Sequence, residues 1–364
     1  MDLRPKKLDI YIMKKFLSTF LVAILLIIII VIVFDVSENV DDFVAKKAPL
    51  KAIVVDYYLN LIPFYMNMFS ALFVFITVIF FTSRMAANSE IVAILSCGVS
   101  FPRMMVPYLV TAAIIVAGAI SMNLWVVPKA NESRHEFEAL YKKRRTQAAE
   151  RNIHYQIAPG QFVYIESFSK WNNTAQRFTL ETIENNEIVS KISAETAVWD
   201  TTFNGWRLRK YFIREYDPGT LSDKTRTGQQ LDTIIPLTVD DFYRNKKTVE
   251  DLQYADLQAL INTQNLRGDS DVMYSEIEKY TRWALPFSAL ILTIMGVSLS
   301  SKKKRGGMGW NLAVGIALSF SYILFLRFSQ MFVFTGSMSP ALALWLPNMI
   351  YAVITAVLYH FAPK

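Results

Sequence analysis

Six long apolar segments, three on each side of a polar insert, constrain the fold of this chain more than any other feature. Each is close to the roughly 20 residues that an α-helix needs to cross about 30 Å of hydrocarbon. Because lipid offers the backbone no hydrogen-bond partners, runs of this length must be helical. The six predicted spans are Phe16–Phe34, Leu59–Thr82, Met104–Val127, Trp283–Ser300, Trp310–Phe334 and Ala341–Phe361.

The spans divide the chain into three parts, and they predict an α-helical membrane protein with six transmembrane helices and an inserted, exported all-β domain. The first expected part, residues 1–128, contains spans one to three and a short cytoplasmic helix at about 89–97. The second, residues 129–282, contains a leading helix, a jellyroll-like β-region at about 151–245 and helices over 248–282. The third, residues 283–364, contains spans four to six.

The net charge of +7 lies beside the membrane spans and not in the insert. Residues 129–282 contain 22 Lys and Arg against 23 Asp and Glu, so the insert is nearly neutral. Basic residues that flank spans set membrane orientation, whereas nucleic-acid binding needs a basic patch on a folded domain. The charge distribution therefore argues against a nucleic-acid partner.

The loops predict the orientation of the spans. Five Lys and Arg precede span one, Lys302–Arg305 follows span four, and the loop Thr335–Pro340 after span five is uncharged. Because basic loops stay on the cytoplasmic side, we expect both termini in the cytoplasm and the insert outside. Three lysines after span one, Lys46, Lys47 and Lys51, are an exception to this tendency.

The insert has the period-two pattern of short strands, separated by turn signals such as Pro159-Gly160, Asn185-Asn186 and Asp217-Pro218-Gly219. A sandwich, a jelly roll or an open barrel fits this pattern. Trp171, Trp199 and Trp206 either fill the sheet core or line an apolar ligand groove. The predicted strands are Ile153–Ala158, Gln161–Ser167, Gln176–Ile183, Glu187–Ile192, Ala194–Asp200 and Gly205–Tyr216.

Helices are predicted on both sides of these strands. The charged segment Lys129–Glu150 continues out of span three, Thr248–Asn265 forms a helix that ends near Gly268, and a further helix leads from about Asp271 into span four.

Catalytic and cofactor-binding motifs are absent from the sequence. It contains no phosphate-binding GxxxxGK[ST] loop, no HExxH, no GxSxG and no Gly-rich dinucleotide fingerprint. Three histidines and the single cysteine, Cys97, leave little for metal or nucleophilic catalysis. We therefore predict a non-catalytic protein without a bound cofactor or metal, whose energy enters from another subunit.

A short cytoplasmic helix is predicted between spans two and three. Asn88 or Ser89 can cap its start by accepting from backbone N–H groups, and Glu90 suits the positive end of the helix dipole. The helix either closes the loop or docks on a cytoplasmic protein. The candidate contact residues, on one apolar face and at the two ends, are Ser89, Glu90, Ile91, Ile94, Leu95 and Gly98.

Basic residues near the outer side of the membrane are candidate lipid ligands. Arg327 lies roughly 10 Å inside the predicted outer end of span five, with Gln330 on the same face. Such a cation either snorkels to the surface or meets an anionic ligand. The three lysines after span one either pair with Asp41 and Asp42, bind lipid phosphate, or form with Arg327 a basic rim for a phosphorylated lipid head. These tentative lipid-binding residues are Lys46, Lys47, Lys51, Arg327 and Gln330.

Seven short segments, in chain order, carry a family resemblance: Leu8-Asp9-x-Tyr11-Ile12, Ser89-Glu90-Ile91 with Cys97-Gly98-Val99-Ser100, Phe162-Val163-Tyr164-Ile165-Glu166, Trp206-Arg207-Leu208, Leu285-Pro286, Lys302–Gly307 and Leu346-Pro347-Asn348. Together, on a three-plus-three layout, they resemble the lipopolysaccharide export permeases of the LptF/LptG (YjgP/YjgQ) type over essentially the whole chain. The opening motif and Phe162–Glu166 are more similar to LptG.

The resemblance implies an inner-membrane permease with six helices and a periplasmic β-jellyroll, which serves outer-membrane biogenesis. Such permeases pair as an LptF–LptG heterodimer over an LptB ATPase dimer, which uses ATP and Mg²⁺. Lipopolysaccharide enters from the outer leaflet and passes through the jellyrolls to LptC and LptA. The coupling helix corresponds here to Ser89–Cys97, and basic residues near the cavity mouth meet lipid A phosphates. Inward-facing Phe162 and Tyr164 are tentative residues of the jellyroll lipid path.

Three alternative functions stay open on the residues alone. Another ATP-coupled lipid or lipoprotein exporter is one, although that class usually has four spans. A membrane-embedded glycolipid-modifying enzyme would need paired acidic residues or histidines on the outer face of the spans. A signalling receptor with an exported sensor domain would not need so extensive a six-span core.

Overall fold

The chain forms a helical unit and a β-unit, which are described separately. The computed structural model describes residues 6–142, 150–185, 187–216, 223–243, 246–269, 271–302 and 307–362. The helical unit comprises Met1–Lys143, Glu250–Tyr254 and Glu276–Lys364, and the β-unit comprises Arg144–Val249 and Ala255–Ser275. Several features of the sequence analysis lie outside the described residues: Arg4 among the basic residues before span one, residues 143–149 of the predicted helix Lys129–Glu150, Asn186, the turn at Asp217-Pro218-Gly219 and the basic residues Lys303–Arg305.

Six described helices are long and apolar enough to cross a membrane, as the hydropathy pattern predicted. The predicted spans fall inside these helices, apart from Phe361 at the end of the last. The helices are α1 Lys7–Ala45, α2 Leu50–Ala87, α4 Phe101–Tyr141, α8 Val272–Ser300, α9 Gly307–Phe334 and α10 Pro340–His360.

Helix α1 is longer than its apolar segment. The residues Asp35–Asp42, which the sequence analysis placed in a loop, lie on its last turns. One reason for the extension is that Asp35 has a partner there, because its Oδ1 accepts a hydrogen bond from Tyr57 at 3.0 Å. The start of α2 and the middle of α4 are π-helical, over Ile53–Tyr58 and Met122–Val126.

Two glycines bring neighbouring helices close to α2. A Cβ on Gly315 of α9 would collide with Cδ1 of Ile79, and a Cβ on Gly296 of α8 would lie 3.0 Å from Cγ1 of Val78. Small residues of this kind let helix backbones approach in a membrane, where close packing drives association. Helix α2 is therefore the contact surface for both α8 and α9.

The β-unit is built on one antiparallel sheet of six described strands in the order β1 to β6. The inserted all-β domain is thus confirmed. The Greek-key connection that defines a jelly roll does not occur among these strands, which run as a simple meander. The strands are β1 Glu150–Ala158, β2 Gln161–Ser169, β3 Thr174–Glu184, β4 Glu187–Asp200, β5 Gly205–Tyr216 and β6 Asp223–Thr233.

Two strand predictions were wrong. The separate strands Glu187–Ile192 and Ala194–Asp200 are one continuous strand, β4, because Ser193 pairs with Phe212 of β5 without a break. Strand β6 was missed. Its sequence contains one apolar side chain, Leu231, and it is mostly exposed at the edge of the sheet, where little burial is needed to stabilise it.

One face of the sheet carries an aromatic core. Phe168 stacks on Phe242 with ring centroids 4.2 Å apart, and the indole of Trp206 is fully buried beside them. Trp199 packs against the same cluster, whereas Trp171 is 98% exposed. Two of the three tryptophans of the insert therefore belong to the core.

The predicted helix Thr248–Asn265 is interrupted. Three short helices, α5 Val239–Tyr243, α6 Lys246–Asp251 and α7 Tyr254–Arg267, follow β6. Between α6 and α7 the guanidinium of Arg282 donates to the carbonyl of Leu252 at 2.8 Å and to that of Glu250 at 3.4 Å. Because these carbonyls are bound by Arg282, the break between the two helices is stabilised.

Candidate functional site

The predicted helix between spans two and three is present as α3, Glu90–Ser96. Ser89 occupies its N-cap position with φ 63° and ψ 14°, and its side chain makes no capping hydrogen bond. The proposed cap by a side-chain oxygen is therefore wrong for Ser89, and the amide of Asn88 instead donates to Oε1 of Glu90 at 3.2 Å. Gly98 follows the helix with φ +82°, which explains why the helix ends there.

The apolar face of α3 lies against the chain's own core. Ile91 is 1% exposed, and Ile94 and Leu95 pack partly buried against the same cluster. Ile91 is therefore turned to the core, whereas the half-buried Ile94 and Leu95 lie at its edge, and docking of this face on a partner stays a prediction. The exposed side of α3 and its C-terminus is formed by Val92, Ala93, Ser96 and Cys97.

Glu90 is held by α1. Its Oε2 accepts a hydrogen bond from the hydroxyl of Tyr11 at 3.1 Å and lies 3.8 Å from Nζ of Lys15. Lys15 also donates to the Tyr11 hydroxyl at 2.8 Å. The start of the candidate coupling helix is thus connected to the first turns of α1.

Arg103, which follows α3 in the chain, makes a second connection to α1. The guanidinium of Arg103 donates two parallel hydrogen bonds to Asp9, at 2.8 Å to Oδ1 and 2.6 Å to Oδ2. Asp9 is 7% exposed, and the neighbouring Ile12 is fully buried. Bidentate pairs of this kind fix both distance and orientation.

The sequence analysis did not assign a site role to Asp9, Tyr11, Lys15 or Arg103. Three of them lie in or beside the opening motif Leu8–Ile12, which was noted only as a family resemblance. Their contacts with Glu90 and Arg103 cross 75 to 94 positions of sequence, and no local pattern shows such pairs.

The three lysines after span one differ from one another. Lys46 donates to the carbonyls of Leu140 and Lys142 at 3.1 and 2.9 Å, so its ammonium caps the end of α4. Lys47 and Lys51 are exposed, and within the described part of the chain no hydrogen bond or ion pair is seen for either side chain. Of the three, Lys47 and Lys51 are therefore available to a ligand.

Arg327 lies on the outer surface of α9. It is exposed between Leu326 and Phe328, and its Nη1 donates to Oε1 of Gln330 at 3.3 Å. Leu326 is buried in the helical unit, whereas Phe328 is 62% exposed, so the guanidinium faces away from the unit's own core. No described contact joins Arg327 to Lys46, which lies after span one.

Phe162 and Tyr164 lie on the open face of the sheet. They alternate along β2 with Val163 and Ile165, whose side chains fill the aromatic core on the other face. The expectation that they point inward is therefore wrong for the described sheet. They help to line a cleft of about 640 Å³ whose other lining residues include His154, Gln156, Glu181, Lys191 and Arg267.

The cleft combines rings with charged groups. The rings of His154 and Tyr164 lie 4.7 Å apart, and the Tyr164 hydroxyl donates to Oδ1 of Asn152 at 3.1 Å. Beside them, Nζ of Lys191 pairs with Oε1 of Glu181 at 2.7 Å. Such a surface suits an amphipathic ligand better than a bare acyl chain.

The sequence model of the family described as lipopolysaccharide export system permease LptF/LptG matches residues 10–360, essentially the whole chain. The chain belongs to the LptF/LptG family. No curated protein matches it. The permease is thus a multi-pass inner-membrane component of the Lpt transport system and the non-catalytic part of a transporter.

The family match covers both the helical unit and the β-unit of the permease. The match begins at Ile10, inside the opening motif, and ends at His360, the last residue of α10. The family match does not distinguish LptF from LptG.

Proposed function

We propose that this permease is one subunit of an ATP-driven machine that extracts lipopolysaccharide from the outer leaflet of the inner membrane. The observation that carries the proposal is α3: a short helix between two spans, seated on the permease core by Ile91 and exposed on its other side. Such a helix can transmit the movement of a docked protein into the spans on either side.

The energy source is assigned to a partner ATPase that corresponds to a dimer of LptB. The sequence lacks a nucleotide-binding motif, so this chain is assigned no ATP site, and ATP with Mg²⁺ belongs to the partner. The proposed docking surface is the exposed side of α3, with Val92 at its centre and Glu90 at its edge.

The proposed orientation has both termini and α3 in the cytoplasm and the β-unit in the periplasm. The basic residues before span one and after span four support it, because short basic loops stay on the cytoplasmic side. The exposed face of α3 then meets a cytoplasmic ATPase.

The proposed lipid ligands are Arg327 with Gln330, and Lys47 and Lys51. A cation roughly 10 Å inside a span is costly unless it finds a counter-charge, and Arg327 faces away from its own unit. Guanidinium and ammonium groups suit the phosphates of lipid A. Lys46 can bind the lipid only if its ammonium first releases the carbonyls of Leu140 and Lys142 at the end of α4.

The remaining proposed partners are those that the family resemblance implies. We propose that the chain pairs with a homologous permease as an LptF–LptG heterodimer, with this chain as LptG on the strength of its opening motif and Phe162–Glu166. Lipopolysaccharide would then pass the cleft beside Phe162 and Tyr164 toward LptC and LptA. The exposed edge strand β6 supports strand addition to such a partner.

The experiment compares two exposed apolar residues of the full chain, copurified with its partners from native membranes. We expect Val92→Asp to reduce the amount of copurified ATPase about tenfold, because a charge would face an apolar interface. Leu266→Asp, at a 79% exposed position of the β-unit, should leave it unchanged. Equal recovery of the ATPase with both variants would contradict the docking surface.

A further inference from the structure

We infer that the N-terminal end of α1 is a positioning element of the coupling site, which passes the movement of α3 directly to span one. The N-terminal tie is defined here as the Asp9–Arg103 pair together with the contacts of Tyr11 and Lys15 to Glu90. The inference rests on the proposed function, because it assigns α3 as the helix that the ATPase moves.

The tie holds α3 on both of its flanks. Glu90 is the first residue of α3 and binds Tyr11 and Lys15, while Arg103 lies in the first turn of α4 and binds Asp9. All three α1 residues lie within seven positions of one another. A displacement of α3 therefore reaches α1 at two separate points.

The Asp9–Arg103 pair is stiffer than the contacts of Glu90 with Tyr11 and Lys15. Asp9 accepts two hydrogen bonds from Arg103 and a third from the backbone N–H of Lys6 at 2.8 Å, which fixes the carboxylate to the start of α1. A bidentate pair resists both stretching and rotation, unlike a single point contact. Because the side chains of Asp9 and Arg103 are 10% and 26% exposed, water reaches the pair only partly.

Apolar packing supports the same connection. Ile12 and Phe16 of α1 are fully buried, and they belong to the same core cluster as Ile91 of α3 and Phe101 of α4. The polar tie and the apolar contacts therefore hold one end of α1 against the coupling segment.

The apolar middle of α1 is loosely packed. Of the residues in its most apolar stretch, 17% are buried, against 61% in α8. The C-terminal end of α1 is packed as well, because Phe43 is buried and Asp35 is bound by Tyr57, so a movement of the tied end can be carried along the helix to the other end. Its 39 residues make a rod about 58 Å long, which ends just before Lys46 and Lys47. The tie thus connects α3 mechanically to the proposed lipid-binding lysines.

The test uses a charge swap in the complete complex, reconstituted in vesicles that contain lipopolysaccharide. The variants are Asp9→Arg, Arg103→Asp and the double variant with both changes. Lys14→Glu is the matched control, because Lys14 is exposed on the same turns of α1 and takes no part in the tie. Three quantities are measured for each: copurified ATPase, ATP hydrolysis, and lipopolysaccharide released per ATP.

We expect each single variant to keep its bound ATPase and its rate of ATP hydrolysis. The amount of lipopolysaccharide released per ATP should fall fivefold or more, which is the range typical of coupling between sites. The double variant should recover most of the release, because the pair is restored with reversed polarity. Lys14→Glu should match the wild type. If the single variants do not assemble, the double variant decides: it must recover both assembly and release.

Two results overturn the inference: single variants with wild-type release per ATP, or a double variant as poor as the single ones. Arg103→Lys adds a graded readout, since it keeps the charge but loses the second hydrogen bond and should give intermediate coupling. A wild-type complex without ATP-dependent release would instead contradict the proposed function. The two failures are therefore distinguishable.

Discussion

The indole N–H of Trp206 donates a hydrogen bond to the carbonyl of Leu237 at 2.7 Å, inside the aromatic core of the β-unit. Trp206 begins the segment Trp206-Arg207-Leu208 that contributed to the family resemblance, and its side chain is fully buried. The contact joins β5 to the chain that follows β6. It explains why a tryptophan is useful here, where a phenylalanine would fill most of the space.

Trp206→Phe should destabilise the β-unit by about 2–4 kcal/mol, because it leaves the carbonyl of Leu237 unpaired and opens a small cavity. Trp171→Phe, at a 98% exposed position, is the matched control and should change the stability by less than about 0.5 kcal/mol. Chemical unfolding of the purified chain, followed by circular dichroism at strand wavelengths, measures both. Equal stability of the two variants would show that the hydrogen bond is not important.

Gly315→Ala should loosen the contact between α9 and α2, because the added methyl group would collide with Ile79. Overpacking of this kind costs about 1–3 kcal/mol. Adding Ile79→Ala should recover part of the loss by removing the colliding group. Gly118→Ala is the control, since a Cβ there meets no atom within 4 Å. Thermal aggregation of the detergent-solubilised chain reports the order expected: Gly118→Ala like wild type, Gly315→Ala lower, and the double variant between them.

The salt bridges of Arg207 should make the β-unit sensitive to acid. Hydrogen bonds from Arg207 hold the pKa of Asp232 below its ordinary value, and those from Thr202 do the same for the pKa of Asp200. A carboxyl with a lowered pKa stabilises the fold above its unfolded pKa, and this contribution is lost as the pH falls through the folded pKa.

Asp232→Asn removes one of these carboxyls and should therefore lower the melting temperature at neutral pH. The difference from wild type should shrink as the pH falls below about 4 and through the lowered folded pKa, because the wild-type carboxyl then becomes protonated as well. Melting curves at a series of pH values test this. A difference that stays constant over the whole range would mean that the ionised carboxylate does not stabilise the sheet.

Lys46 and Lys47 should respond differently to substitution, although they are adjacent. Lys47→Ala should weaken crosslinking of lipopolysaccharide to α1 without changing stability, because the Lys47 side chain is exposed and has no described partner. Lys46→Ala should instead lower the melting temperature, since it removes the donor to the carbonyls of Leu140 and Lys142. Photocrosslinking and melting curves on the same preparations separate the two effects. Identical behaviour of both variants would contradict the assignment.

Arg327→Glu should weaken lipopolysaccharide crosslinking to α9, because the guanidinium faces away from its own unit and its described hydrogen-bond partner is Gln330. Lys14→Glu provides a control for the change in charge at a distant exposed position of α1. Normal crosslinking of the Arg327 variant would indicate that this residue only snorkels to the membrane surface.

The membrane spans and the inserted β-domain could be predicted from the sequence because hydropathy and period-two alternation depend on local composition. Strand β6 could not, since an exposed edge strand such as Asp223–Thr233 lacks that alternation. The face that α3 turns to the core could not be predicted either. Ile91, Ile94 and Leu95 form an apolar stripe whether the stripe meets a partner or the chain itself.

The contacts around the coupling site could not be predicted from the sequence either. Asp9 and Arg103 lie 94 positions apart, and Glu90 and Tyr11 lie 79 positions apart. Only the folded helices show that these residues meet, and that the opening motif of the chain lies against its candidate coupling helix.

The most direct test of the account is lipopolysaccharide release from vesicles that contain this chain, its partner permease and their ATPase. The account predicts release that requires ATP hydrolysis and that is lost when Val92→Asp removes the ATPase from the complex. Release that continues without the ATPase, or an intact ATPase complex that never moves lipopolysaccharide, would contradict it.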